Sequence, residues 1–161
     1  MGRGGPERAR GFTLVELVTV IVLLGILAFA ALPRLEGGLA LGAVGARDQI
    51  VAALRYAQKA AVSHRRLVCA TVAADGLSLS LGIASAYGDA ACAGTLPGPD
   101  GQPGISSGDA NVLLAPASTT MYFQPSGAVT SDGAGVVAAD FTLTLTSQAD
   151  IRVYGATGYV E

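Results

Sequence analysis

The chain has 161 residues and a formal net charge of −2 at pH 7, with 51% hydrophobic and only 14% charged residues. This length suits one small domain once an N-terminal apolar segment is set aside, which excludes an array of folded domains. The 22 glycines and the lack of tryptophan indicate a loop-rich domain built from small residues.

The first eleven residues form a short, polar and basic segment. They hold Arg3, Arg8 and Arg10 against a single acid, Glu7. Positive charge beside an apolar segment stays on the cytoplasmic side of a membrane. We therefore expect the N-terminus to be cytoplasmic and the chain after the apolar segment to be exported.

Residues 12–33 form the apolar segment around which the chain is organised. From Phe12 to Leu32 they are apolar apart from two threonines and Glu16. As a helix this segment is roughly 30 Å long, which predicts a membrane-spanning helix. An ionisable group inside it costs on the order of 2 to 3 kcal/mol, so Glu16 is a candidate functional residue. The alternative is a plain anchor in which Glu16 is protonated or reaches the interface.

The run GFTLVE at residues 11–16, joined to this long apolar helix, resembles the leader junction of type IV pilins and type II secretion pseudopilins. The resemblance implies that residues 1–11 are a leader, and that a prepilin peptidase cuts between Gly11 and Phe12 and methylates the new Phe12 amine. It also implies that Glu16 pairs with the Phe12 amine of a neighbouring subunit. A carboxylate and an ammonium buried together attract strongly, whereas either one alone is heavily penalised.

Residues 34–66 join the apolar segment to the head. Pro33 lacks a backbone donor, so the helix is predicted to kink or pause near Leu32. Each glycine costs a helix about 1 kcal/mol relative to alanine, so a weak helix that can melt is predicted next. Pilins that this chain resembles often lose helix here inside the filament. The glycines are Gly37, Gly38, Gly42 and Gly45.

An amphipathic helix is predicted from Ala46 to about Ser63. Its apolar residues recur at helical spacing, and its charged residues fall largely on other faces. The apolar stripe is expected to pack on a sheet formed by the rest of the chain. It consists of Ile50, Leu54, Ala57 and Ala61.

The head, residues 67–161, is predicted to consist of strands and loops. Residues 67–72 and 77–81 flank the turn signal Asp75-Gly76 and predict a β-hairpin. Residues 82–109 are rich in Gly, Pro, Ser and Ala and predict a long surface loop. Further strands are predicted at 111–114, 119–123, 141–146, 151–154 and 159–160, with a short strand between two turns in 124–140.

Two cysteines, Cys69 and Cys92, lie in the part that is expected to be exported. In an oxidising periplasm, one pair without CxxC spacing favours a disulfide over a metal or redox site. Two unpaired thiols remain the alternative, because the sequence does not give the distance between them.

Three stretches of the chain resemble the GspH/FimT-like branch of minor pilins and pseudopilins: RYAQKAAVSHRRLVCATV, MYFQPSGAVT and IRVYGATGYV. In that branch a helix with a basic end leads into the first strand, and an aromatic-x-Pro-x-Gly turn joins two later strands. The resemblance implies an α+β pilin fold, in which one long helix is half membrane anchor and half core and packs on an antiparallel β-sheet. The apolar helix is also similar to that of mannose-sensitive haemagglutinin-type pilins.

Enzymatic and metal chemistry have little support in the sequence. Residues 104–108 spell G-x-S-x-G, but that motif needs a strand before it, a helix after it and a later histidine. The one histidine, His64, comes earlier, near a predicted helix end where a cation is favoured without any ligand. We predict no enzyme, no catalytic residue, no metal site and no cofactor.

Charge is unevenly distributed along the chain. Six bases and two acids lie within residues 34–66, whereas Arg152 is the single base among eight acids beyond residue 66. DNA binding is disfavoured, because the head has little positive charge with which to displace counterions from phosphates. A solvated helix face, or a contact with acidic heads of neighbouring subunits, is expected for the cluster of Arg55, Lys59, Arg65 and Arg66.

Together with these patterns, the resemblance implies a non-enzymatic minor pilin or pseudopilin that primes or caps a type IV pilus or a type II secretion pseudopilus. It is expected to be a single-pass inner-membrane protein with a periplasmic head before assembly, and a filament subunit afterwards. The expected partners are other pilin subunits, prepilin peptidase, the inner-membrane assembly platform and membrane lipid. The alternative is a minor pilin whose head binds DNA or a surface, in natural transformation or adhesion.

Overall fold

The computed structural model describes residues 14–35, 38–106 and 112–161. The leader over residues 1–11, the junction at Gly11 and Phe12, and Gly37 lie outside the described residues. The chain divides into two compact units, Met1–Gly38 and Leu39–Glu161. The apolar helix belongs to the first unit and the head to the second.

Helix α1, Leu14–Leu35, is the described secondary structure of the first unit. It ends at Leu35, two residues beyond Pro33. A proline removes one hydrogen bond of a helix, and the kink or pause expected near Leu32 stays a prediction.

A membrane span was expected over residues 12–33. Among the residues that the structure describes, no helix combines the length and the hydropathy that crossing a bilayer requires. The span therefore stays a prediction.

Helix α2, Gly38–His64, leads into the head. Gly42 and Gly45 lie within it, so the glycine-rich segment is helical in this subunit rather than melted. A helix extends at low cost once a neighbouring turn is formed, and the following turns are well packed. The amphipathic helix predicted over residues 46–63 is confirmed, because all four residues of its apolar stripe are fully buried.

Ten strands are described in the head, and every pairing between them is antiparallel. They are β1 (Val68–Val72), β2 (Ser78–Ile83), β3 (Gly94–Thr95), β4 (Gly104–Ser106), β5 (Leu114–Ala115), β6 (Thr120–Phe123), β7 (Val129–Thr130), β8 (Phe141–Leu145), β9 (Ile151–Tyr154) and β10 (Tyr159–Val160). The first sheet has the order β3-β2-β1-β6-β7, with β4 also paired to β2, and the second has the order β10-β9-β8-β5. Helix followed by antiparallel sheet confirms the predicted α+β class.

One hydrophobic core joins α2 to both sheets. Because side chains alternate between the two faces of a strand, every second residue of the first sheet enters this core. Val68 and Ala70 of β1 do so, as do Met121 and Phe123 of β6. The second sheet contributes Leu143, Leu145, Ile151, Val153 and Val160.

Two of the turns that the sequence predicts are present as hydrogen-bonded connections between paired strands. β1 and β2 form a hairpin in which the Asp75 carboxylate accepts the Leu77 N–H at 2.9 Å. The aromatic-x-Pro-x-Gly turn joins β6 to β7, and its Gly127 N–H donates to the Gln124 carbonyl at 2.9 Å. Gly127 has a φ of 91°, a conformation that favours glycine.

The prediction of one long loop over residues 82–109 is wrong in part. β2 extends to Ile83, and β3 and β4 both lie within the region and pair with β2. Strands of two or three residues are too short to show a period of two, so their sequence gives no signal. The strand predicted at 111–114 is β5, which begins at Leu114, and residues 107–111 lie outside the described residues.

Candidate assembly site

The first part of α1 presents an apolar surface. From Leu14 to Leu24 its large apolar side chains are exposed over three turns, from 45% at Val20 to 78% at Leu14. A helix that is apolar on all sides needs another apolar environment to cover it. A continuous exposed patch of this kind marks an interaction surface. We therefore take α1 as the candidate assembly surface.

Glu16 lies in the first turn of α1, within this apolar surface. An acidic side chain in the first turn is favoured by the helix dipole, by about 0.5 kcal/mol. The Thr19 hydroxyl donates to the backbone carbonyl of Glu16 at 2.9 Å, so this polar side chain is satisfied within its own helix. Pairing of Glu16 with Phe12 of another subunit stays a prediction, since Phe12 is outside the described residues.

The head contains the predicted disulfide. Cys69 of β1 and Cys92 of the loop after β2 are bonded, with their Cα atoms 6.2 Å apart. The bond lies in a small apolar cluster with Leu67 and Ala84, separate from the core under α2. The alternative of two unpaired thiols is excluded, and the loop is tied to the outer face of the first sheet.

The loop tied by the disulfide also contacts the loop between β7 and β8. A Cβ atom added to Gly133 would collide with the backbone carbonyl of Ala90. Asp132 fixes the second loop, because its Oδ1 accepts the Gly135 N–H at 2.9 Å and its backbone carbonyl accepts the Thr130 hydroxyl at 2.6 Å. The two loops therefore pack against each other backbone to backbone.

Polar side chains of α2 hydrogen-bond to backbone carbonyls in and around the second sheet. Arg47 Nε donates to the carbonyl of Ala149 at 3.0 Å. Arg55 donates twice to the carbonyl of Val160, and Gln58 Nε2 donates to the carbonyl of Thr157 at 2.7 Å. Of the predicted basic cluster, Arg55 thus has a structural role inside the subunit. Sequence patterns do not reveal this role, because the acceptors are backbone carbonyls about a hundred residues away.

The other bases at the end of α2 remain on the surface. His64, Arg65 and Arg66 line a cavity of about 490 Å³ together with Ala86 and Tyr87. Among the described residues, the side chains of Arg65 and Arg66 have no hydrogen-bond or ion-pair partner. We call these three bases and Tyr87 the basic patch. Tyr87 is a member that the sequence does not single out.

A second surface lies around β9 and β10. Its cavity, of about 580 Å³, is lined by Asp140, Tyr154, Tyr159 and Glu161 among others, and we call these four residues the acidic patch. The two tyrosine rings lie 6.0 Å apart, and the Tyr154 hydroxyl donates to Glu161 Oε1 at 2.6 Å. That hydrogen bond raises the pKa of Tyr154, with a smaller contribution from burial, while Arg152 acts in the opposite direction.

A third cavity, of about 600 Å³, lies on the outer face of the first sheet beside the disulfide. Hydroxyl groups line it, and Thr71 Oγ1 and Thr120 Oγ1 are 3.1 Å apart. Tyr122 and Ser80 also contribute to its wall. No ionisable acid or base other than Tyr122 is among the lining residues, so the cavity offers neutral polar contacts.

Catalytic and metal chemistry gain no support from the geometry. Ser106 of the G-x-S-x-G run ends the short strand β4, and the next described element is β5 rather than a helix. Within the described ranges, no three His, Cys, Asp or Glu side chains are grouped so that they could hold a metal ion. His64 lies at the exposed end of α2, in the basic patch.

Two family models match the chain. The prokaryotic N-terminal methylation motif matches residues 7–32, a range that includes Gly11, Phe12 and Glu16. The model of type II transport protein GspH matches residues 46–157, from the buried half of α2 to the turn between β9 and β10. No curated protein and no solved structure matches the chain.

Proposed function

Because the chain belongs to the GspH family of type II transport proteins, we propose that it is a minor pilin or pseudopilin that primes or caps a filament through α1. Membership of the pilin and pseudopilin families implies a structural subunit that assembles with other pilin subunits after processing by prepilin peptidase. The observation that carries the proposal is the exposed apolar surface of α1 with Glu16 within it.

Before assembly, α1 is held in the inner membrane, with the N-terminus in the cytoplasm and the head in the periplasm. The arginines of residues 1–11 support this orientation, because positive charge flanking an apolar segment is retained in the cytoplasm. The Cys69–Cys92 disulfide fits a head that folds in an oxidising compartment. Lipid covers the apolar surface at this stage.

During assembly, the α1 helices of neighbouring subunits replace lipid around one another. Apolar contacts with lipid and with other helices are similar in energy, so they do not fix the register of the subunits. The Glu16 carboxylate fixes the register, because burying this charge without a positive partner is heavily penalised. The methylated amine of Phe12 in an adjacent subunit is the proposed partner.

The apolar surface of α1 supports assembly into a filament, whereas the priming or capping role is supported by the resemblance of the head to the minor branch of the family. The resemblance lies in residues 55–72, at the basic end of α2, and in residues 121–130, around the turn between β6 and β7. Such a subunit is needed in few copies. We expect that deleting the gene removes the filaments and that expression at a trace level restores them. Purified filaments should contain far fewer copies of this protein than of the major subunit. A copy number equal to that of the major subunit would contradict the priming or capping role.

The role of Glu16 is tested by Glu16→Gln, which keeps the shape of the side chain and removes its charge. We expect normal insertion and processing but at least a tenfold loss from sheared filaments, about 1.4 kcal/mol or more in assembly free energy. Thr19→Val is the matched control one turn later, since the described hydrogen bond of the Thr19 hydroxyl lies within its own helix. Equal incorporation of the Glu16→Gln variant and the control would contradict the proposal.

A further inference from the structure

The first sheet carries a row of three hydroxyl groups on the face that points away from α2. Thr71 of β1 lies directly beside Ser80 of β2 and Thr120 of β6 in the strand register. Neighbouring strands are about 4.8 Å apart, so the three side chains form a line across the sheet. The opposite face of β1, with Val68 and Ala70, belongs to the core under α2. The row therefore lies outside the core, where a ligand can reach it.

Contacts within the described chain leave these hydroxyl groups with hydrogen-bonding capacity. Thr71 and Thr120 share one hydrogen bond, with their Oγ1 atoms 3.1 Å apart, and the Ser80 hydroxyl donates to the Thr71 carbonyl at 3.4 Å. A hydroxyl group donates one hydrogen bond and accepts two. The Thr71–Thr120 pair therefore keeps one O–H group and three lone pairs, so it can both donate to a ligand and accept from it.

Threonine hydroxyls on a strand do not by themselves make a binding site. β8 has Thr142 and Thr144 on an exposed face, and β-branched residues are common in strands that bind nothing. What distinguishes the row on the first sheet is the cavity of about 600 Å³ that it lines, to which neither threonine of β8 contributes. Ligand sites are concave and usually measure about 300–1,000 Å³. We call this cavity, with the row and Tyr122 in its lining, the hydroxyl cavity.

One wall of the hydroxyl cavity is a loop that is fixed to the sheet. Cys92 of this loop is bonded to Cys69 of β1, and β3 pairs with the end of β2. Directly after β3, the Leu96 N–H donates to the Leu81 carbonyl at 2.9 Å. A Cβ atom added to Gly82 would lie 3.0 Å from the Cβ of Cys92, so glycine there lets the loop lie close to the sheet. The cavity is thus preformed, which lowers the cost of binding a ligand.

Tyr122 adds an aromatic ring to the lining. It lies on the same strand as Thr120, two residues further on, and pairs with Cys69 in the strand register. Tyr122 is half-buried and packs against the apolar cluster that contains the disulfide. An aromatic ring held by packing offers an apolar face to a ligand, and tyrosine adds a hydroxyl group. The cavity therefore combines several hydroxyl groups with one aromatic surface.

The charge of the lining disfavours most other classes of ligand. Among the described residues that line the hydroxyl cavity, none is Asp, Glu, Lys, Arg or His. Nucleic acids and other polyanions need basic residues to replace their counterions, and cations are held by carboxylates. Peptides commonly add a strand to a free sheet edge, but the edge of β2 is already paired with β3 and β4. An uncharged ligand rich in hydroxyl groups matches what remains.

We propose that the hydroxyl cavity binds an uncharged oligosaccharide. A sugar ring has hydroxyl groups around its edge, which both donate and accept hydrogen bonds, and C–H groups on its faces. The hydroxyl row pairs with the sugar hydroxyls, and the Tyr122 ring covers one face of the sugar. Assembly through α1 does not use this cavity, so the inference goes beyond the proposed function.

Binding is tested by NMR titration of the full isotope-labelled chain in micelles of an amine-oxide detergent. Glycoside detergents are avoided, because their sugar headgroups would compete for the cavity. Maltohexaose and the N-acetylated chitohexaose are the uncharged probes, and oligogalacturonate is the anionic probe. We expect saturable amide shifts at residues 71, 80–82, 94–95 and 120–122 with an uncharged probe, and none with oligogalacturonate.

Three variants separate ligand contacts from folding. Thr71→Val with Thr120→Val keeps the side-chain shapes and removes the hydroxyl groups, so we expect an affinity at least about tenfold lower. Thr142→Val with Thr144→Val makes the same change on β8, outside the cavity, and should leave the affinity within about twofold. Tyr122→Leu keeps an apolar side chain against the disulfide cluster and removes the ring, so a loss of about tenfold is expected. An affinity that follows Tm, rather than the loss of hydroxyl groups or of the ring, contradicts the proposal.

The probes also identify the source of the sugar. Binding of chitohexaose alone supports the proposal and indicates N-acetylated glycan strands such as those of the cell wall. Binding of maltohexaose supports it and shows that N-acetyl groups are not required. Tighter binding of oligogalacturonate, or no binding of either uncharged probe up to about 10 mM, overturns the proposal. Shifts that map outside the hydroxyl cavity overturn it as well.

Failure of this inference and failure of the proposed function are distinguishable. The titration uses unassembled protein, so its result does not depend on Glu16. Filaments that depend on Glu16, formed by a protein that binds neither uncharged probe, overturn the sugar site alone. Binding that is lost in Thr71→Val with Thr120→Val, in a protein whose Glu16→Gln variant still assembles, supports the sugar site and contradicts the role proposed for Glu16.

Discussion

Arg55 donates two hydrogen bonds to the backbone carbonyl of Val160, 3.2 Å from Nε and 2.9 Å from Nη2. The bonds join the middle of α2 to β10, one of the two edge strands of the second sheet. Val160 is buried in the same core as the apolar stripe of α2. A cation of the helix thus helps to position the last strand of the head.

Arg55→Met tests the contribution of these two hydrogen bonds, because it keeps an apolar side chain and removes the donors. Hydrogen bonds from a charged group contribute about 1.5 to 3 kcal/mol, so we expect the free energy of unfolding to fall by about 1 to 2 kcal/mol at this partly exposed site. Urea unfolding in mild detergent measures the change. Lys59→Met, an exposed site on the same helix, is the control and should change it by less than about 0.5 kcal/mol. Equal effects would contradict the role of Arg55.

Removal of the disulfide should loosen the loop that it ties down. Cys69 and Cys92 are 23 residues apart, and closing a loop of that size stabilises a domain by about 3 kcal/mol on the chain-entropy model. We expect Cys69→Ala with Cys92→Ala to lower the free energy of unfolding by about that amount. Hydrogen exchange should rise first in residues 84–93. Exchange that rises equally throughout the head would show that the bond stabilises no particular loop.

Gly133→Ala tests the packing between the two loops. Its new Cβ would collide with the Ala90 carbonyl, and overpacking of this kind costs about 1 to 3 kcal/mol. Gly104→Ala adds the same methyl group at ordinary contact distance from Leu79 and is the control. Because Ala90 lies in the loop tied by the disulfide, the cost should be smaller in the variant without the disulfide. An unchanged cost would mean that the two loops are independent.

Tyr154 should make the stability of the head depend on pH in the alkaline range. Its pKa is raised above the ordinary value of 10.0, chiefly by its hydrogen bond to Glu161. The protonated phenol is favoured in the folded state, so this contribution is present below pH 10 and is lost as the pH rises through the folded pKa. Tyrosinate absorbance should show a lower pKa for Tyr154 in Glu161→Gln and little change in Asp140→Asn. A larger fall of the Tyr154 pKa in Asp140→Asn than in Glu161→Gln would show that Glu161 is not the main cause of the raised pKa.

Periodicity and turn chemistry predict most of the fold. Ile50 and Leu54 share a helical face that becomes core, and Asp75-Gly76 forms the hairpin turn that its sequence indicates. The disulfide between Cys69 and Cys92 is predicted from the oxidising compartment expected for the head and from the presence of a single pair of cysteines. These features depend on residues close in sequence or on a simple rule, so the amino-acid sequence is sufficient to predict them.

Other features depend on distant partners, and the sequence does not predict them. β3 and β4 exist because β2 offers them an edge, and their own two or three residues show no pattern. Glycine normally marks the end of a helix, whereas here Arg65 occupies the left-handed position of the cap. Tyr87 joins the basic patch only because the loop folds back to the end of α2.

The most direct test of the account is the mass and N-terminal sequence of the mature protein from a host that has prepilin peptidase. The match to the N-terminal methylation motif spans the junction at Gly11 and Phe12. We predict a polypeptide that begins with N-methylated Phe12 and lacks residues 1–11. A mature protein that still begins at Met1 would contradict assembly through a processed α1.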